Sequence, residues 1–165
     1  MNNVPIVVMG IVAVSRDCFP IELCRKRRTR VVEECKAKNV SVVELQTIVE
    51  NENDVLKVLD ELRDKKVNAL VLYLGNFGPE GPTTLLAKKF GGPVMLAAAA
   101  EETGKDLIDG RGDAYCGLLS ASYNVGLRNV NVHIPRNPVG SAAEVATMIG
   151  EFHPVSRAGV CVALF

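Results

Sequence analysis

Residues 69–74, Ala-Leu-Val-Leu-Tyr-Leu, form an unbroken apolar run that stops at Gly75-Asn76-Phe77-Gly78-Pro79-Glu80-Gly81-Pro82. Apolar residues without polar alternation mark a strand buried on both faces, as in a parallel sheet covered by helices. A Gly/Pro loop directly after such a strand lies at the carboxyl edge of the sheet, where open α/β folds bind ligands. The pattern starts a helix at Thr83-Thr84 and ends it at Phe90-Gly91-Gly92.

The same alternation recurs along the chain. Val4–Val14 is a Val- and Ile-rich first strand, and Pro20 suits the first turn of a helix running to about Lys38, with Asn39 as its stop. Val40–Leu45 makes a second strand. Asn53 or Asp54 caps a helix to about Lys66 that buries Val55, Leu56, Val58, Leu59 and Leu62. Pro93–Ala98 is a fourth strand, followed by a long polar loop, Ala99–Asp113, whose length points to function. Tyr115–Leu127 is a helix, Val130–Ile134 a fifth strand, and Ser141 caps a helix to about Phe152. Five strands alternating with helices build right-handed βαβ units. The expected architecture is a single α/β domain, a three-layer αβα sandwich around a five-stranded parallel sheet of flavodoxin-like or Rossmann-like form. Gly159–Phe165 is apolar with nothing polar behind it, and is expected to pack against further protein, as in a fragment of a longer chain.

The 165 residues suit one domain. Lys plus Arg equals Asp plus Glu at 19 each, so the positive field that non-specific nucleic-acid binding needs is missing. The basic run Arg25–Arg30 reads as the wet face of the first helix. Five cysteines without a C-x-x-C pair argue against a disulfide framework and for a reduced, cytoplasmic setting. No apolar stretch reaches the ~20 residues that cross a bilayer, and no signal peptide is expected.

Familiar α/β chemistries fail on spacing. Gly10 stands alone where a dinucleotide fingerprint needs three glycines, and the Gly75–Thr83 segment has Pro where a P-loop needs Lys. A phospho-receiver would end the third strand in Asp, but Gly75-Asn76 stands there. Cys18 lacks the Arg spacing of a Cys-based phosphatase. His133 and His153 lie in different elements and form no helical metal pair. His133 reads as a packing residue. The acidic residues Glu101, Glu102, Asp106, Asp109 and Asp113 lack the regular spacing of a calcium loop.

What remains gathers at the strand ends. Ser15-Arg16-Asp17 follows strand one, Gln46-Thr47 strand two, Gly75–Glu80 strand three and Ala99–Glu102 strand four. Arg16 offers fixed donors, Asp17 and Glu80 acceptors, Asn76 and Gln46 both, and Phe77 a flat apolar face. That mixture suits a sugar, with its paired hydroxyls and weakly apolar C–H face. The same residues also admit a structural reading in which Asp17 caps the first helix, Arg16 pairs with it and Phe77 fills a gap.

The segments Val12–Pro20, Tyr73–Thr83, Ala97–Glu102 and Asp109–Gly117 resemble the N-terminal domain of the L-fucose/L-arabinose isomerase superfamily. The resemblance spans nearly the whole chain. It implies an aldose–ketose isomerase that moves a proton between C1 and C2 through an enediol with the aid of manganese. The metal ligands, two carboxylates and a histidine, are implied to lie beyond the N-terminal domain, so no metal is expected on this chain and no catalytic residue is assigned to it. The domain is implied to close a neighbouring subunit's sugar pocket in a homo-oligomer. Arg16, Asn76, Phe77 and Glu80 are the implied substrate-binding residues. The partners expected are a small-molecule sugar and the remaining domains of the enzyme, with no nucleic acid and no membrane. A stand-alone sugar-binding or regulatory module without catalysis is the alternative, and a truncated, inactive product is a third reading.

Overall fold

Strands β1 (Met9–Val14), β3 (Ala69–Leu74) and β4 (Val94–Ala99) are buried at every position, as runs without polar alternation require. They belong to a computed structural model that describes residues 6–102 and 111–163. The remaining elements are α1 (Ile21–Ala37), β2 (Val43–Val49), α2 (Glu52–Asp64), α3 (Glu80–Phe90), α4 (Ala114–Leu127), β5 (Val139–Gly140) and α5 (Ala142–Ala163). The strands pair in parallel in the order β2-β1-β3-β4-β5. Helices α1 and α5 pack together, and α2, α3 and α4 pack in series, giving the three-layer sandwich. The core joins both layers through side chains such as Leu70, Leu72, Val55, Leu86, Val31 and Phe152. Each such burial stabilises by about 1.5–3 kcal/mol.

Three helices stop by the same device. Asn39, Lys66 and Asn129 follow α1, α2 and α4 in the left-handed region at φ 57°, 54° and 52°. The next residue is Val40, Val67 or Val130, whose N–H returns 2.9 Å to the carbonyl of Cys35, Leu62 or Val125. This is the Schellman closure, and the valine packs on the core as its hydrophobic partner.

Several elements differ from the sequence expectation. Strand β2 runs through Gln46-Thr47 to Val49, because a register shift against Ile11–Ala13 bulges the strand there. The Glu61 carboxylate of α2 accepts the Gln46 and Thr47 amides at 2.7 and 3.0 Å, replacing ladder partners. Asn51, not Asn53 or Asp54, caps α2, its Oδ1 accepting both of their amides. Leu56 lies on the exposed face. Helix α3 begins at Glu80, so Thr83 and Thr84 are inside it and return their hydroxyls to Pro79 and Glu80 carbonyls.

The fifth strand is Val139–Gly140 and not Val130–Ile134. The earlier segment meets β4 through a single bridge at His133, and the prolines at 135 and 138 remove the donors a longer strand needs. His133 stacks on Phe152 with centroids 5.3 Å apart. Helix α5 continues past Phe152 to Ala163 with Pro154 inside it. Val4 and Leu164-Phe165 lie outside the described residues.

Lys66 carries a side chain where the backbone is left-handed, which costs roughly 1–2 kcal/mol. Lys66→Gly should therefore raise the unfolding free energy by about 0.5–1 kcal/mol, after glycine's greater entropy loss. Urea denaturation checks this, and unchanged or lowered stability would contradict the strain argument.

Candidate functional site

Strand order reverses at β1/β3, the switch point of this topology. Their two carboxyl-edge loops are joined by one side chain. Asn76 is fully buried. Its Oδ1 accepts the Arg16 amide at 3.2 Å and the Gly78 amide at 3.3 Å. Its Nδ2 donates to Ser15 Oγ at 2.8 Å and to the Pro20 carbonyl at 3.5 Å. The amide group thus supplies donors and acceptors to both loops at once.

Above this bridge lies a stack of side chains. The Phe19 and Phe77 rings lie nearly parallel with centroids 5.8 Å apart. The Arg16 guanidinium covers the Phe77 ring, Cζ standing 4.4 Å from its centroid. Arg16 Nη2 also donates to Glu80 Oε2, and Ser120 of α4 donates to Glu80 Oε1 at 2.9 Å. Arg16 and Glu80 each keep about a third of their side chain exposed, at 33% and 29%. Burial pushes the Glu80 carboxyl up, but its own amide, the Ser120 hydroxyl and Arg16 together outweigh this and hold it below the ordinary carboxylate range.

Helix α4 reaches this stack because Gly117 has no side chain. A Cβ there would stand 1.7 Å from the Phe77 carbonyl oxygen. Gly75 makes a matching close approach on the other face, where a Cβ would stand 2.6 Å from Cys24 Sγ.

On the α1/α5 side a cleft of about 350 Å³ opens beside Tyr73, Arg27, Arg30, Glu101, Glu102 and the start of α5. Arg27 is buried and donates to the Gly75 carbonyl at 2.8 Å and to Glu101 at 2.9 Å. Glu101 also accepts the Gly112 and Ala114 amides. Burial pushes Glu101 up, and Arg27 with these amides pulls it below the ordinary range. Arg28 is buried too, on Glu44 at 2.8 Å. The wet-face reading of Arg25–Arg30 therefore fails at Arg27 and Arg28. Their length carries them over the sheet edge to carboxylates and carbonyls that no local periodicity reveals.

Of the sequence-proposed residues, the structure brings Arg16, Phe77 and Glu80 together and seats Asn76 beneath them. Asp17 is exposed and does not cap α1, whose N-cap is Pro20, and Arg16 pairs with Glu80 instead of Asp17. Gln46 and Thr47 are held in the β2 bulge by the Glu61 carboxylate. Asp106 and Asp109 of the acidic loop lie outside the described residues. Its described members are engaged by Arg27, Arg30 and Arg111. Among the described residues no three His, Cys, Asp or Glu side chains form a group that could hold a metal ion. Cys24 is buried on the Val14 carbonyl, and burial pushes its thiol to about 12, which rules it out as a nucleophile at neutral pH. No described helix is long and apolar enough to cross a membrane. Ser120, Phe19 and Gly117 were not foreseen. Ser120 and Gly117 come from a helix some 40 residues along the chain, and only Phe19, adjacent to the first loop, carried a local signal.

Fold and edge together define a flavodoxin-like α/β domain with an arginine-capped aromatic stack at its switch point. Residues 10–162 match the family model described as fucose/sulfoquinovose isomerase, N-terminal domain. The chain belongs to that family. A comparison with curated proteins finds no match.

Asn76→Ala removes the partner of the buried Gly78 amide, the half-buried Arg16 amide and the Ser15 hydroxyl. It should cost about 2–3 kcal/mol by urea denaturation and shift the Phe77 and Gly78 amide resonances. Loss below about 0.5 kcal/mol would show that the bridge is dispensable. Glu80 and Glu101 are both lowered from 4.5, so the unfolded chain binds the extra protons. Their contribution is complete above about pH 4.5 and disappears as pH falls through the lower folded values. Glu101→Gln should flatten the acid limb of a stability–pH curve below about pH 4.5, and an unchanged limb would count against the pairing.

Proposed function

We propose that this domain forms one wall of the sugar pocket in a metal-dependent aldose–ketose isomerase of the L-fucose or L-arabinose type, and that it works within an oligomer. The observation that carries the reading is the Arg16 guanidinium lying on Phe77 with part of its edge exposed. A guanidinium edge donates to vicinal hydroxyls, while an aromatic stack packs the C–H face of a pyranose or open-chain sugar. Family membership supports an isomerase as the reaction class.

In this reading Arg16 and Phe77 hold the sugar, Glu80 orients Arg16 and accepts from a hydroxyl, and Asn76 acts from beneath by fixing both loops. Manganese held by protein outside the described residues would supply Lewis-acid polarisation of the sugar's oxygens. This chain's own contribution is orientation and exclusion of water while the proton moves between C1 and C2.

Support for a covering partner comes from α4. Tyr115, Leu119, Tyr123 and Leu127 recur every fourth residue and stand 54–67% exposed, on a helix without a charged residue. A solvated helix face normally carries charge.

The test compares this chain alone with the chain joined to the metal-binding remainder of the enzyme. The chain alone with manganese and L-fucose or L-arabinose should show no turnover. In the complete enzyme Arg16→Ala and Phe77→Ala should each lower kcat/KM roughly 10- to 100-fold. Turnover by the isolated chain, or full activity in both variants, overturns the reading. Tight sugar binding by a monomer of this chain would favour the stand-alone binding module instead.

A further inference from the structure

We propose that Glu80, clamped by Ser120, sets the charge selectivity of this edge, so that it accepts neutral aldoses and rejects aldoses bearing an anionic group such as a C6 sulfonate. The inference rests on the reading that the Arg16–Phe77 edge faces the sugar.

Two features at this edge would each attract an anion. One is the Arg16 guanidinium, charged at any working pH. The other is the amino end of α3, whose N-cap is Pro79, a residue with no side-chain cap to offer. Glu80 answers both with one carboxylate. As the first residue of α3 it sits on the positive end of the helix dipole, and through Oε2 it pairs with Arg16. Its second oxygen is held by Ser120 at 2.9 Å, so the carboxylate is fixed from α4 as well. Asp17, exposed in the adjoining loop, adds no positive charge. An incoming sulfonate would have to displace a carboxylate that already has two partners and would meet it at close range. Neutral hydroxyls face no such opposition, because they can donate to Glu80 while accepting from Arg16.

Glu80→Gln tests this directly. It keeps an acceptor for Ser120 and removes the charge. Amide NMR spectra of the whole chain are followed while sodium sulfate or L-fucose is added at matched ionic strength. In the wild-type chain sulfate should leave the Phe77 and Gly78 amides unmoved. In Glu80→Gln it should shift them saturably, with affinity at least about tenfold higher. Ser120→Ala, which frees the carboxylate without removing it, should respond between the two, and it serves as the second variant if Glu80→Gln does not fold. Sulfate binding of equal strength in wild type and Glu80→Gln overturns the proposal, as does a folded Glu80→Gln that ignores sulfate. L-fucose reports separately on the underlying reading. If it moves these amides in neither protein, the sugar assignment of the edge falls, and the charge proposal for aldoses with it. Weak fucose shifts in both proteins, as a single wall of a pocket gives, with sulfate shifts confined to the variants are the expected result.

Discussion

A buried primary amide between two loops is demanding, because each unsatisfied donor or acceptor there costs about 1–3 kcal/mol. Asn76 meets that demand with partners from both sides of the β1/β3 switch point. The consequence reaches well beyond its own hydrogen bonds. With the Arg16 and Gly78 amides fixed to one carboxamide, the β1 and β3 loops cannot move independently. Phe77 then has one position against Phe19, Arg16 has one platform, and Glu80 begins α3 where it can reach that guanidinium. The exposed edge is built on a buried polar bridge.

The second constraint is steric. Gly117 allows the backbone of α4 to rest on the backbone of Phe77, and Ser120, one turn later, comes within reach of Glu80. A methyl group at 117 would separate the layers and break that hydrogen bond. The stack is thus held from the sheet by Asn76 and from the helix layer by α4. This doubly held arrangement suits the proposed sugar-facing role, since orientation is worth most when the groups are already ordered before binding.

Arg27 and Arg28 show a different economy. Guanidinium groups are expensive to bury, and a buried ion pair is weak evidence for stability by itself. Arg27 nevertheless links the Gly75 carbonyl at the end of β3 to Glu101 after β4. Glu101 in turn receives the Gly112 and Ala114 amides that open α4. The pair therefore ties three carboxyl-edge segments together, and with the Arg27 Nε left without a partner among the described residues its value lies in fixing loop positions.

Much of the architecture was legible because it depends on local pattern. The apolar runs at Met9–Val14, Ala69–Leu74 and Val94–Ala99 contain no polar alternation and can only be covered strands. Asn39 and Gly91 marked helix ends through their backbone preferences. The gathering of Arg16, Phe77 and Glu80 at one edge followed from strand direction alone, and the resemblance to the isomerase N-terminal domain rested on those same loop segments. What the tertiary structure decided was everything carried by contacts distant in sequence. Glu61 satisfies a bulge that hides the second half of β2, and a strand edge chose Val139–Gly140 over the more apolar Val130–Ile134. Two arginines in a basic run are buried because their carboxylates arrive from β2 and from the loop after β4. Arg16 chose Glu80, 64 residues away, over its neighbour Asp17. Local sequence sets backbone preference and apolar face. Pairing of charges and satisfaction of buried polar groups depend on which segments the fold brings together, and no short window of residues records that.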